Sequence, residues 1–239
     1  MHPYLVPMVA SLSLVGCCIE EQILGGFKPK ALCIGVGGGA LLGFLRAQLG
    51  FEVVGIEADK EVLRVVRRYF GLLGNESIRV IVGDAIDVIE KFIYHSNGVH
   101  EGENGSYLND GSDENIKFDA IKVDLDSSDA TNGTSAPPLE FIRKQVLLAT
   151  KSVLCDFGIH AINVISPNRS FYEKLIYEFC EVFHELYEID VGNGENFVVV
   201  ATMWSPMATV SSVSDSENSF LTRQRMAISG AYMDSIRKI

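Results

Sequence analysis

Short apolar runs alternate with stretches of helical periodicity along most of this chain. The first run, Lys30–Val36 (KALCIGV), ends in glycines and is followed by a helix over Ala40–Leu49. Phe51–Glu57 (FEVVGIE) is a second run, and Asp59 stands where a helix cap is needed. The helix after it runs to about Leu73, with Val62, Leu63, Val66 and Phe70 on one face at 3.6-residue spacing. Ser77–Val82 is a third strand and Ala85–Tyr94 a third helix; Phe118–Asp124 (FDAIKVD) is a fourth strand. A helix begins near Pro138, a residue suited to a first turn. Phe157–Ile165 is a fifth strand and Arg169–Val182 a fifth helix. Phe183–Asp190 and Phe197–Trp204 flank Gly192-Asn193-Gly194 and read as a hairpin. Phe220–Ile239 is a last amphipathic helix.

Strands that alternate with helices pair in parallel and carry helices on both faces, because each crossover lays its helix on the sheet. The expected fold is therefore α/β, a Rossmann-like, mostly parallel sheet of seven strands in which the hairpin contributes one antiparallel strand. The organisation expected is an N-terminal helical segment over 1–29, a ligand-binding domain over 30–204, and a Ser-rich linker with the final helix over 205–239. Positions 95–116 are rich in Gly, Asn, Ser and acids, have little to bury, and read as a flexible insertion.

Composition narrows the function. The 239 residues carry 31 acids against 20 bases, a net charge of −11, and the bases form no stripe. A polyanion would be repelled, which speaks against a nucleic-acid partner. The five cysteines are odd in number and lack CxxC spacing, so neither a disulfide framework nor a metal site is expected, and the cytoplasm fits best. The apolar stretch Tyr4–Ile19 has no basic flank, contains Pro7 and falls short of the ~20 residues a membrane span needs. It is expected to be a buried helix rather than an anchor.

Candidate chemistry lies at the carboxyl ends of the strands, where open α/β sheets hold their ligands. Gly35-Val36-Gly37-Gly38-Gly39 sits where the first strand turns into a helix. Glycine there lets main chain approach a ligand, and the helix N-terminus favours an anionic group. Glu57 ends the second strand, 22 positions after Gly35, next to Ala58. A carboxylate there accepts hydrogen bonds from ribose hydroxyls. Asp84, followed by Ala85, closes the third strand, where a carboxylate can accept from an adenine amine or cap the next helix. Asp124, Asp126 and Asp129 crowd the end of the fourth strand, either around a cation or amine or simply facing water. His160 and His184 sit in apolar strand-like surroundings and are expected to be satisfied core histidines, and Cys33, Phe197 and Trp204 read as packing residues.

Taken in order, ALCIGVGGGALLGFL, VVGIEAD, VIVGDA and FDAIKVDLDSSD resemble the class I methyltransferases that use S-adenosylmethionine, in their spermidine-synthase-like branch. The resemblance spans roughly Tyr4 to Trp204. Within the branch, FDAIKVDLDSSDATNGTSAPPLEF is most similar to the carboxyl-terminal domain of the eukaryotic dual methyltransferases of translation elongation factor 1-alpha. That domain acts on the factor's N-terminal amine, while a separate domain acts on a lysine. The resemblance implies S-adenosylmethionine as cofactor, a protein amine as acceptor, and a homodimer. It assigns Gly35, Gly37 and Gly39 to the methionine part of the cofactor, Glu57 to the ribose, and Asp84 with Ala85 to the adenine, and counts Val36, Gly38 and Ala58 among the cofactor-binding positions. Asp124 would lie beside the sulfonium, and Asp126 or Asp129 would bind the acceptor amine. Spermidine synthases differ: where their glycine loop carries an aspartate, this chain has Gly38. Aminopropyl transfer, a non-catalytic cofactor-binding module and a nicotinamide dehydrogenase are the alternatives.

Overall fold

The computed structural model describes residues 5–72, 77–96, 116–127, 135–166, 168–192, 194–206, 219–228 and 230–239. Most of the insertion over 95–116, most of the linker and Asp129 lie outside them. Strands β1 (Lys30–Ile34), β2 (Glu52–Glu57), β3 (Ile78–Val82), β4 (Phe118–Val123) and β5 (Leu154–Ile165) pair in parallel. Strand β7 (Asn196–Thr202) lies antiparallel between β5 and β6 (Glu185–Asp190). A two-residue strand, β8 (Arg237–Lys238), adds to β6, giving the order β3-β2-β1-β4-β5-β7-β6-β8. The expected seven strands are present, and β8 is an eighth.

Every residue of β4 is buried. Helices on both sides make that possible. One face packs α1 (Leu5–Ala10), α2 (Gly16–Leu24), α3 (Ala40–Leu49), α4 (Lys60–Tyr69) and α8 (Phe220–Ile228). The opposite face packs α5 (Ala85–Ser96), α6 (Lys144–Ser152) and α7 (Arg169–Cys180). Asp59 caps α4 by accepting from the Glu61 N–H at 2.7 Å, and Asn168 caps α7 by accepting from Ser170 and Phe171.

The N-terminal stretch is part of this core. Met8, Val9, Ala10, Leu12, Val15 and Ile19 are buried. With the 3-10 turn Ser11–Val15 between α1 and α2, the helical run extends over 20 residues to Leu24, so its length alone does not rule out a span; half of that apolar window is buried inside the protein. Helix α1 ends inside the protein, so its last carbonyls need partners. Lys122 of β4 and Ser11 donate to Met8 O, while Gln224 of α8 donates to Val9 O and Ala10 O. Phe51 and Phe220 meet ring to ring at 6.3 Å, closing the C-terminal helix over the same face.

The C-terminal segment departs from the expectation of one helix. It is α8, then α9 (Ala231–Asp234), then β8. The chain reverses after α8, and Arg225 of α8 forms a two-point ion pair with Asp234 of α9. Helix α4 stops at Tyr69, before Leu73, and Phe70 is exposed. His184 is exposed too, just before β6, contrary to its apolar setting in the sequence. The helix expected near Pro138 begins as a 3-10 turn, Leu139–Ile142, with α6 after it.

Candidate functional site

Parallel pairing in register brings the carboxyl ends of β1 to β4 to one rim. Ile34 pairs with Ile56, Glu57 with Val82, and the Asp124 N–H donates to Ile34 O at 3.0 Å. The Gly35 N–H donates to Ile56 O and the Gly83 N–H to Glu57 O, both at 2.9 Å, so each turn is tied to its neighbouring strand. Gly35 has φ +90°, and a Cβ there would sit 2.2 Å from Asp124 O. Only glycine allows β1 and β4 to leave the sheet this closely packed. The chain then turns tightly: the Gly39 N–H donates to Val36 O at 2.8 Å, with Gly37 and Gly39 also at positive φ. Around Gly37 and Gly38 a Cβ would meet nothing within 4 Å. The turn therefore presents bare main chain to open space.

Glu57 joins this turn to the second strand. Its Oε2 accepts from the Val36 N–H and its Oε1 from the Asp59 N–H, each at 3.1 Å. Each carboxylate oxygen can accept twice. One site per oxygen is left for a pair of hydroxyl donors, and the two main-chain bonds hold the carboxylate in place. Ala58 beside it is exposed.

Asp84 does cap α5: its Oδ1 accepts from Ile86 N–H at 2.8 Å and Asp87 N–H at 3.2 Å. That is the helix-cap alternative realised, and it leaves the second oxygen exposed on the rim beside Ala85.

At the end of β4 the carboxylate of Asp124 accepts from Asn163 Nδ2 at 3.1 Å. A carboxylate can only accept, which fixes the orientation of the amide and turns Asn163 Oδ1 away from it. That oxygen is buried and has no hydrogen-bond partner among the described residues, with Asn163 itself only 2% exposed. A buried acceptor without a donor is costly. Asp126 is exposed, and the loop that carries it is stapled across β5 by Ser127 N–H to Ser135 O and Ser135 N–H to Ile165 O. Asp129, expected to share the amine site, lies outside the described residues.

Two polar residues were hidden inside apolar strands. Asn163 interrupts HAINVI and Lys122 interrupts FDAIKVD; a polar residue in the middle of a buried strand was the only signal of either. Lys122 has no exposure at all, and burial pushes its ammonium down to about 7. His160 is packed between Phe179 and Phe183, its Nδ1 unpartnered; burial, with the charge of Lys122, pushes it down to about 3. Cys33 is buried and its thiol is pushed up to about 12 by burial, a packing residue rather than a nucleophile. Trp204 and Phe197 are half-buried, packed on Phe157 and Tyr172.

The fold superimposes on human methyltransferase-like protein 13, solved in complex with S-adenosylhomocysteine, with a TM-score of 0.69 at 22% identity over 92% of this chain and 88% of that one. The fold is that of a class I methyltransferase. The same class I methyltransferase fold gives a TM-score of 0.59 at 15% identity against a probable spermidine synthase from Corynebacterium glutamicum, over 97% of this chain and 74% of that one. No protein-family model matches the chain. In sequence it is similar to the eEF1A lysine and N-terminal methyltransferase of Homo sapiens, 25% identical over 181 residues, and to that of Danio rerio, 29% identical over 178. The Drosophila melanogaster homolog is 28% identical over 157 residues. These matches cover 75%, 74% and 65% of this chain and 23%, 23% and 20% of the relatives. The chain spans about a fifth to a quarter of the length of the curated relatives it matches.

Proposed function

We propose that this chain is an S-adenosylmethionine-dependent methyltransferase that modifies an amine of a protein, elongation factor 1-alpha being the candidate its relatives' names supply. The observation that carries the cofactor reading is the bond from Val36 N–H to Glu57 Oε2, which fixes a ribose-type carboxylate against an open glycine turn. The residues fit the cofactor's parts. Gly35 to Gly39 offer main chain to the methionine end, Glu57 keeps two acceptor sites for ribose hydroxyls, and Asp84 keeps one oxygen for an exocyclic amine.

When bound, the cofactor supplies a methyl group already activated by positive sulfur, so the protein needs no covalent nucleophile. Its own residues align and desolvate the acceptor. An amine must be neutral to attack, because an ammonium has no lone pair. An N-terminal amine, with an ordinary pKa of ~8, reaches that state more readily than a lysine at ~10.4. Asp124, held by Asn163 at the end of β4 beside the glycine turn, accepts one N–H of the amine, so the lone pair is left to point along the transfer line. The exposed carboxylate of Asp126 draws the cationic form towards the rim, and Asp129 would add to that charge. The alternative of aminopropyl transfer is disfavoured at Gly38, where no carboxylate side chain is present to hold the amine of a decarboxylated cofactor.

The test is transfer of labelled methyl from S-adenosylmethionine to purified elongation factor 1-alpha, with mass spectrometry locating the label. Label on the factor's N-terminal amine or a lysine supports the proposal. No label on the factor or on any protein of a cell extract, with binding of S-adenosylhomocysteine intact, removes the methyltransferase reading and leaves a binding module.

A further inference from the structure

Contrary to the expectation that the bases form no stripe, helix α4 carries a concentration of positive charge that the rest of this acidic chain lacks. Lys60, Arg64, Arg67 and Arg68 lie within nine positions, against the single carboxylate of Glu61, which pairs with Arg64 at 2.6 Å. All four line one open groove of about 430 Å³ together with Leu63 and Val82. Leu63 is buried and Val82 is 44% exposed, so the groove has an apolar floor between basic walls. Val82 is the last residue of β3 and the register partner of Glu57, which sets the groove on the same rim as the candidate site but on its outer side.

We propose that this groove docks a short acidic segment of a protein partner, one that carries an apolar side chain among its carboxylates. Charge complementarity gives the sign of the partner, and Val82 gives the apolar contact. Dimensions give the length. Lys60 to Arg68 span about 12 Å of helix, which about four extended residues match. A long nucleic acid is the poorer occupant: Asp59 directly precedes Lys60 in the chain, Asp84 stands two positions after Val82, and the net charge is −11, so four cations are too short a track for an extended polyanion. The docking is independent of methyl transfer, because no residue of the groove belongs to the turn, to Glu57 or to Asp124.

The experiment is fluorescence anisotropy with the full chain and a labelled peptide of about eight residues, mainly Glu and Asp with one central Leu. Saturable binding is expected, weakening as salt rises from about 50 to about 200 mM. In Arg67→Glu/Arg68→Glu it should fall by roughly tenfold or more, as two exposed attractions become repulsions. Val82→Ser should weaken the Leu peptide but leave an all-acidic peptide unchanged. Circular dichroism and retained binding of S-adenosylhomocysteine show that each variant is folded. No binding to the wild-type chain, binding undiminished in the double variant, or tighter binding of a single-stranded RNA oligonucleotide than of the peptide would each overturn the proposal.

Discussion

Lys122 Nζ donates to the main-chain oxygen of Met8 at 2.9 Å, across 114 positions of sequence, from a strand in which it has no exposure. Its other acceptor is Ser11 Oγ, so an ammonium in the centre of the sheet closes the end of the first helix. Burial holds it down to about 7, against ~10.4 in an unfolded chain.

That difference fixes a pH dependence. Between about pH 7 and ~10.4 the unfolded chain binds a proton that the folded one does not, so stability rises with pH, by at most ~1.4 kcal/mol per unit. Above ~8.5 the thiols of Cys18, Cys33 and Cys155, each pushed up to about 12 chiefly by burial, act in the opposite direction, because the unfolded chain loses protons that the folded one keeps. Denaturant unfolding should therefore show stability rising from pH 7 to about 8.5 and flattening or falling beyond. In Lys122→Met the rise below 8.5 should disappear; an unchanged rise would assign it to another group.

Gly35→Ala should be severe. Its Cβ would lie 2.2 Å from Asp124 O, and a positive φ adds about 1–2 kcal/mol of strain for any other residue. Thermal melting is expected to drop by several degrees, with cofactor binding lost because β1 and β4 must part. Gly38→Ala, whose Cβ meets nothing within 4 Å, should melt as the wild type does.

Asn163→Ala separates binding from chemistry. It removes the donor to Asp124 and the unpartnered acceptor, but touches neither Glu57 nor Asp84. Methyl transfer should fall by roughly 10–100-fold, the worth of a hydrogen bond to a charged group, while affinity for S-adenosylhomocysteine changes little. Loss of cofactor affinity in step with activity would place Asn163 on the cofactor instead. Asn163→Asp would set two carboxylates side by side, raise the pKa of one, and shift the activity profile to higher pH.

The sheet was legible because each of the strands β1 to β4 is an apolar run of five or six residues ending at a glycine or an acid, which periodicity reports directly; β5 is twelve residues long and begins at Leu154, three positions before the run Phe157–Ile165. The glycine turn and Glu57 were legible for the same reason: they terminate such runs. What periodicity does not report is a polar residue inside one. Lys122 and Asn163 follow the two-residue alternation of their strands, and their partners, Met8, Ser11 and Asp124, come from elsewhere in the chain. The break at Gly230 was hidden likewise, since one glycine in a helical pattern is tolerated and the Arg225–Asp234 pair that folds α9 back spans nine positions. The exposure of His184 depends on where β6 begins, two residues after an apolar run that looked continuous with it.

The central claim is the cradle formed by the glycine turn and Glu57, and isothermal titration with S-adenosylhomocysteine addresses it most directly. The wild-type chain should bind saturably at one site. Glu57→Ala, which loses the ribose acceptors and the tie to Val36, should bind roughly 100-fold more weakly, while Glu57→Gln should fold normally and fall between the two. No binding by the wild-type chain, or equal binding by Glu57→Ala, would contradict the account.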